Sequence, residues 1–475
     1  MAQLHDLTAA EQVRKMHSRG LSPVELTEHY LARIERLNAR VGAYITVSAD
    51  VALRAARDAE QALMRGPEGL PPLLGLPVAI KDLAMTAGIR TTLGSRAFSD
   101  WVPDADSHAV TMMKGAGLTG ILGKTNTPEF GPACYTKNAL APEAVTPWDL
   151  GRSASGSSGG AGAAVASGLA PLAHGSDRAG SVRSPAAVSG LVGFKPGRGV
   201  VSPSPQAPLI PMATDGAIAR TVEDAALLID AMSGSHPGDL YQAAAHGPMR
   251  EAIEREPPPL RIAAWSDTGL GNPVDPEVED CLARALLALE ALGHHVDRIP
   301  EPTSGAIGPA TDAVFELLAA GVDATVMTIP EERRDQLQPY TRFLADHARS
   351  RTSTQLIQAL TRLGTAGQSA LVTLQDHDVF VSPTTAAPAV PVGTFNGDDM
   401  AECVRRMTHW TAFTFLASIT GQPAVSLPLG ETSTRLPIGI QLTSRTGNDG
   451  LLFSLSRRLE VAMPWGHRHP PIWGD

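Results

Sequence analysis

Gly151-Arg152-Ser153-Ala154-Ser155-Gly156-Ser157-Ser158-Gly159-Gly160 opens a stretch that continues to Gly175-Ser176-Asp177-Arg178-Ala179-Gly180-Ser181-Val182-Arg183-Ser184-Pro185. Its two Gly/Ser clusters, 156–160 and 175–181, bracket a run of small apolar residues. Flexible linkers are polar throughout, whereas residues 161–173 are nearly all Ala, Val, Leu and Gly, the pattern of a buried helix followed by a short strand. The clusters therefore fall at the ends of buried elements, where glycine permits sharp turns and backbone N–H groups can face a ligand. The stretch reads as a site rather than a tether.

Working outward from it, Leu76-Pro77-Val78-Ala79-Ile80 reads as a buried strand that delivers Lys81 at its carboxyl end. That is the end of an open α/β sheet where ligands bind. Ahead of it, Ser22-Pro23-Val24-Glu25 has capping-box spacing with proline at the first helical position, and Leu26, Tyr30, Ile34 and Leu37 follow on one face. Residues 51–64 and 107–114 read as helices and 118–122 as a strand, and the alternation points to an α/β fold. Gly193-Phe194-Lys195-Pro196 reads as the end of a turn-rich passage, and Thr221 caps a helix reaching Met232. Strands are expected at 261–265, 296–299, 378–383, 424–427 and 438–442, and helices at 278–292, 401–417 and 449–460. Residues 301–372 are the least patterned, with helical pieces at 312–320 and 339–349.

Composition limits the function classes. With 475 residues, 43% hydrophobic and 19% charged, the chain can bury a large core. A formal charge of −10 without clustered Lys or Arg argues against a nucleic-acid partner. Cys134, Cys281 and Cys403 lie far apart with no CxxC spacing, and the fourteen histidines include no HExxH, so neither a disulfide framework nor a metal site is indicated. Met-Ala-Gln-Leu-His-Asp at the start lacks the pattern of a signal peptide, and no apolar run of bilayer length occurs. The expectation is a cytoplasmic protein with no membrane association and no cofactor, a monomer or homodimer.

A serine nucleophile needs a proton acceptor and donors for the oxyanion. The usual base would be histidine, and none is expected in or beside the two clusters, nor is there a G-x-S-x-G elbow with an obvious Asp and His following it. A lysine can serve as base if burial leaves it neutral, and Lys81 is the candidate.

These residues resemble the amidase signature hydrolases, with their Ser, cis-Ser, Lys triad. The resemblance runs through Gly75-Leu76-Pro77-Val78-Ala79-Ile80-Lys81-Asp82, Gly123-Lys124-Thr125-Asn126, Pro128-Glu129-Phe130, Pro147-Trp148-Asp149, both Gly/Ser clusters, Gly193-Phe194-Lys195-Pro196, Gly421-Gln422-Pro423-Ala424 and Leu436-Pro437-Ile438-Gly439-Ile440-Gln441. It covers nearly the whole chain except about 300–375, and the two serines stand 24 residues apart, as in the family pattern. The resemblance implies a single α/β/α amidase domain over 1–475, with a large twisted mixed sheet flanked by helices on both faces. The signature core would lie at 70–235 and a variable substrate-pocket region at 300–375. It implies Ser181 as nucleophile, Ser157 as the bridging serine reached through a cis peptide, and Lys81 as the base acting through Ser157. The N–H groups of Arg178, Ala179, Gly180 and Ser181 would form the oxyanion hole, with Ser158, Asp177 and Arg183 as supports.

Two departures bear on the pocket. The family usually has Thr-Gly-Gly-Ser where this chain has Arg178-Ala179-Gly180-Ser181, so position 179 must have an ordinary dihedral and Arg178 brings a cation near the acyl site. The reaction expected is acyl transfer from a small-molecule amide to water by a stand-alone hydrolase. The substrate is read as a neutral aryl or alkyl amide, or a carbamate, in which case the enzyme is a urethanase. One alternative is an amidotransferase A-type glutaminase subunit, which commonly carries Gln where this chain has Ser184. The other is a non-catalytic anion-binding module, for which no G-x-x-x-x-G-K-[ST] is found.

Overall fold

Eleven strands form one mixed sheet: β1 Tyr44–Val47, β2 Pro77–Lys81, β3 Gly120–Thr125, β4 Leu172–Asp177, β5 Val192–Lys195, β6 Thr214–Ala219, β7 Arg261–Ala264, β8 His295–Arg298, β9 Val379–Pro383, β10 Ala424–Glu431 and β11 Pro437–Ser444. The computed structural model describes residues 3–66, 68–206, 208, 212–244 and 247–475; Met1 and Ala2, where the reading of the chain start begins, lie outside them. The spatial order is β1-β3-β2-β4-β6-β5-β10-β11-β9-β7-β8. β2 runs parallel to β3 and β4, β7 parallel to β8 and β9, and the remaining neighbours pair antiparallel. Helices flank the sheet on both faces.

Strands covered on both faces need continuous rather than alternating apolar sequence. Every residue of β2, β3, β5, β9 and β11 is buried accordingly. In this register Lys81 pairs with Thr125 and Ile80 with His174, which brings the carboxyl ends of β2 and β4 side by side. The helix Gly159–Ala166 follows the first Gly/Ser cluster and is buried at every position. Its small residues allow close backbone approach: a Cβ at Gly160 would lie 2.3 Å from the Asn126 nitrogen and 2.6 Å from the Ala43 carbonyl oxygen.

The helix Pro23–Val41 starts as expected, with Ser22 Oγ accepting from Val24 and Glu25 N–H at 3.1 Å each and Leu26, Tyr30, Ile34 and Leu37 buried. Three expectations are corrected. Residues 193–196 do not end a turn-rich passage; Val192–Lys195 is a strand between β6 and β10. Residues 301–372 are well ordered, with helices at Ile307–Met327, Pro339–Arg349 and Ser353–Thr373. The single helix expected at 401–417 is two, Met400–Trp410 and Phe415–Thr420, because Thr411 and Thr414 turn the chain, their hydroxyls donating to the Met407 and Thr411 carbonyls at 2.8 and 3.0 Å.

Candidate active site

β2 ends on Lys81, whose side chain is fully buried. Its Nζ donates to Ser157 Oγ at 2.8 Å, to the Ser176 carbonyl at 3.1 Å and to Ser176 Oγ at 3.0 Å. Burial pushes the amine down to about 7; Asp177 and Asp215 oppose the shift and Arg178 adds to it. Two other lysines are buried. Lys124 donates to the Ala84 carbonyl and to Thr86 and Thr91 hydroxyls, and Lys195 to the Pro196 carbonyl at 3.0 Å. Of the three, Lys81 is the one bonded to a serine of the first cluster.

Ser157 follows a cis peptide from Gly156. The two clusters are tied together by Ser158: its N–H donates to the Ser181 carbonyl at 3.2 Å, and its Oγ donates to the Ser176 carbonyl at 3.3 Å. Ser181 Oγ borders a pocket of about 90 Å³ and has no hydrogen-bond partner among the described residues. Catalytic hydrogen bonds of this kind often tighten only when substrate is present.

Asp177, at the end of β4, organises the loop that carries Ser181. Its carboxylate accepts from the Gly180 N–H at 2.8 Å and the Val182 N–H at 3.1 Å, and pairs with Arg183 Nε and Nη2 at 2.9 and 2.8 Å. Burial alone would raise this carboxyl, but the Arg183 guanidinium overrides it and holds it below the usual carboxylate range. Arg183 in turn donates to the Thr414 carbonyl and to Gln441 Oε1 at 2.6 Å each.

The oxyanion donors need one correction. The Gly180 N–H is committed to Asp177. The N–H groups of Arg178, Ala179 and Ser181 have no partner among the described residues. Gly180 has φ +122°, and a Cβ there would meet Thr414 Oγ1 at 2.4 Å, so the turn requires glycine. Ala179 has no positive φ, which meets the condition the sequence set for it.

The pocket wall comes from three places: the loop at Ala133 and Cys134, the helix Ile307–Met327 with Val314, Phe315 and Leu318, and Tyr340. Val404, Met407 and Phe415 complete it from a segment outside the expected variable region. The wall is mainly apolar, with Thr311, Tyr340, Thr408 and Thr411 adding hydroxyls to those of Ser181 and Ser184.

A family model described as Amidase matches residues 25–453. The chain belongs to the amidase signature family. It is 35% identical over 475 residues to an acylamidase of Rhodococcus erythropolis, with 98% of each chain covered. It is 31% identical to the A-type subunit of a glutamyl-tRNA(Gln) amidotransferase from Desulfatibacillum aliphaticivorans, covering 99% of this chain and 100% of that one. In structure it is similar to a bacterial aryl acylamidase of the amidase signature family, with a TM-score of 0.91, 27% identity and 100% of both chains covered. As an amidase signature hydrolase, the protein cleaves amide C–N bonds. No described helix is long and apolar enough to cross a membrane.

The expectation of no histidine beside the clusters is corrected, and two further residues belong to this amidase site. His174 directly precedes the second cluster and lies beside Lys81: its Nδ1 accepts the Lys81 N–H at 3.4 Å, and its Nε2 is 3.1 Å from Asp215. Ser176 holds Lys81 through two atoms. The three donated bonds are those of the ammonium form; once deprotonated, the amine keeps two N–H groups for the Ser176 carbonyl and Oγ, and the Ser157 contact reverses, its hydroxyl donating to the lone pair. Ser176→Ala is expected to lower kcat about tenfold with little change in KM, because loss of one bond of about 1.5 kcal/mol lets the amine swing. Steady-state kinetics on a simple anilide checks it.

Proposed function

We propose that the protein is a stand-alone amidase that forms an acyl-enzyme on Ser181. Neutral Lys81 takes the Ser157 proton while Ser157 takes the Ser181 proton, and Ser181 Oγ attacks the amide carbonyl. The unpartnered N–H groups at 178, 179 and 181 face the developing oxyanion. The relayed proton leaves with the amine, and water then attacks the acyl group through the same relay. The observation that carries this reading is the 2.8 Å contact between a fully buried lysine, its amine near neutral pH, and the serine that precedes the Ser181 loop.

In this reading the chain is one amidase domain, with 70–235 carrying the chemistry and 300–375 together with 404–415 shaping the pocket. The mainly apolar wall and the small volume support a compact neutral acyl group, alkyl or aryl, in the 90 Å³ pocket.

Only unprotonated Lys81 can accept a proton, so kcat/KM is expected to rise as pH increases through about 7 and to level off above it. A fluorophosphonate probe should label Ser181, located by peptide mass spectrometry; a labelled protein with its modification elsewhere, or no labelling at all, would end the proposal. The full-length likeness to an amidotransferase subunit supports a second reading, a glutaminase acting within a complex. A panel of anilides, primary amides, carbamates and glutamine, run on the gel-filtered chain alone, separates the two, since the stand-alone enzyme turns over simple amides without a partner.

A further inference from the structure

Arg178 stands just past the end of β4, three residues ahead of Ser181, and borders two spaces at once. One is the mainly apolar pocket beside Ser181. The other is a cleft of about 390 Å³ with mixed lining, where Leu83, Phe130 and Met212 stand with His174, Lys195 and Asp215. The guanidinium rests against the helix Ile307–Met327, where a Cβ added at Gly321 would lie 3.5 Å from its Nη1. Arginine carries five N–H donors, yet among the described residues this side chain has no hydrogen-bond or ion-pair partner. Two carboxylates among the described residues share the cleft wall, and neither pairs with Arg178. Asp215 lies 3.1 Å from His174 Nε2, and Asp239 accepts from Ser202 Oγ at 2.8 Å and from the His236 N–H at 2.7 Å. Arg178 is exposed at the mouth of this cleft, its guanidinium open to solvent and to whatever enters. A guanidinium in that position is a receptor for an anion, and its planar fork matches a carboxylate through two parallel bonds.

We propose that Arg178 selects amides whose amine-derived half carries a carboxylate, the acyl half lying in the apolar pocket and the carboxylate reaching the guanidinium in the cleft. This rests on the reading of Ser181 as nucleophile and adds to it a class of substrate. On the acyl side Arg178, beside Ser181, is the one charged residue among the described lining, and a carboxylate carried past it toward Val314, Phe315, Leu318, Met407 and Phe415 meets no cation, which is strongly disfavoured. Hydrolysis of such an amide consumes one water and yields a carboxylic acid from the acyl half and an amine that bears its own carboxylate.

Three matched probes test it: butyranilide, 4-butyramidobenzoate with the carboxylate on the amine half, and succinanilate with the carboxylate on the acyl half. The wild-type enzyme is expected to favour 4-butyramidobenzoate over butyranilide at least about tenfold in kcat/KM and to show no preference for succinanilate. Arg178→Met should lower the ratio at least about tenfold and Arg178→Lys should restore part of it; each ratio removes general loss of activity, and comparing it between wild type and variant removes the difference in leaving ability. The same ratio is read without turnover as relative Kd by calorimetry, comparing Ser181→Ala with Ser181→Ala/Arg178→Met. A preference that survives Arg178→Met, a preference for succinanilate, or equal Kd values for the charged and neutral probes on Ser181→Ala would each overturn the proposal. If no probe is cleaved but the Arg178-dependent Kd difference is present, carboxylate recognition stands and the acyl-enzyme reading falls.

Discussion

Replacing Lys81 with methionine is expected to lower turnover by on the order of 10⁴-fold or more, since members of a proton relay act as one unit and loss of the base removes most of what the unit does. Whatever rate remains should no longer rise through pH 7, because the group that titrates there is gone. The protein should still fold. Methionine removes the cost of burying an amine at a site with no exposure, while it leaves the Ser176 carbonyl and two hydroxyls without a donor, a penalty of about 1–3 kcal/mol. The two terms oppose each other, so the midpoint of thermal unfolding should move by only about 5 °C. An inactive variant with a collapsed unfolding midpoint would make Lys81 a structural lysine instead. A variant that keeps wild-type turnover would remove it from the mechanism.

The second large effect falls on stability. Arg183→Met leaves the Asp177 carboxylate fully buried without its ion-pair partner, Lys195 remaining as a cation that acts on it from further off, and breaking a buried pair by deleting one member costs about 3–5 kcal/mol. Urea unfolding should show this loss. Asp177→Asn added to Arg183→Met should recover part of it, because the stranded charge is then gone and the coupling between the two sites is non-additive. The pair also sets an acid limit. A carboxyl whose folded pKa is depressed contributes stability that is fully present above its unfolded value near 4 and is lost as pH falls toward the folded one. The stability that traces to Asp177 should therefore decline as pH falls below about 4, and Arg183→Met should lack this decline.

Much of the site was readable from the chain because its chemistry sits beside elements with strong local signals. A strand buried on both faces appears as an unbroken apolar run, so Leu76 to Ile80 located Lys81 at a strand end. The two Gly/Ser clusters flank a helix of small residues that cannot be mistaken for surface. The regions that misled did so for identifiable reasons. Ser353–Thr373 buries mainly Ala359, Leu363, Ala366, Gly367 and Ala370, while Ile357, Leu371 and Val372 are exposed, so its apolar period is blurred from both sides. Its start was marked by Thr352 and Gln355, which form a capping box. Val192–Lys195 is only four residues long, contains a glycine and runs into Pro196, each of which reads as a turn. The break between Met400–Trp410 and Phe415–Thr420 contains neither Gly nor Pro; it is made by threonine hydroxyls bonding to carbonyls three and four residues back and, from Thr414, to the Ala179 carbonyl, choices that depend on how the chain is wound. The commitment of the Gly180 N–H to Asp177 is of the same kind. The carboxylate and the amide are three residues apart, but which donors it takes depends on how the loop is wound.

The partners of Arg183 have a consequence for when the enzyme can first act. The loop bearing Ser181 is pinned through Arg183 to Thr414 and Gln441, which lie 231 and 258 residues further along the chain. A ribosome that has delivered both serines and the lysine has therefore not yet delivered the clamp that shapes them. Hydrolytic competence arrives late in synthesis, and a half-made chain carries its reactive groups unassembled.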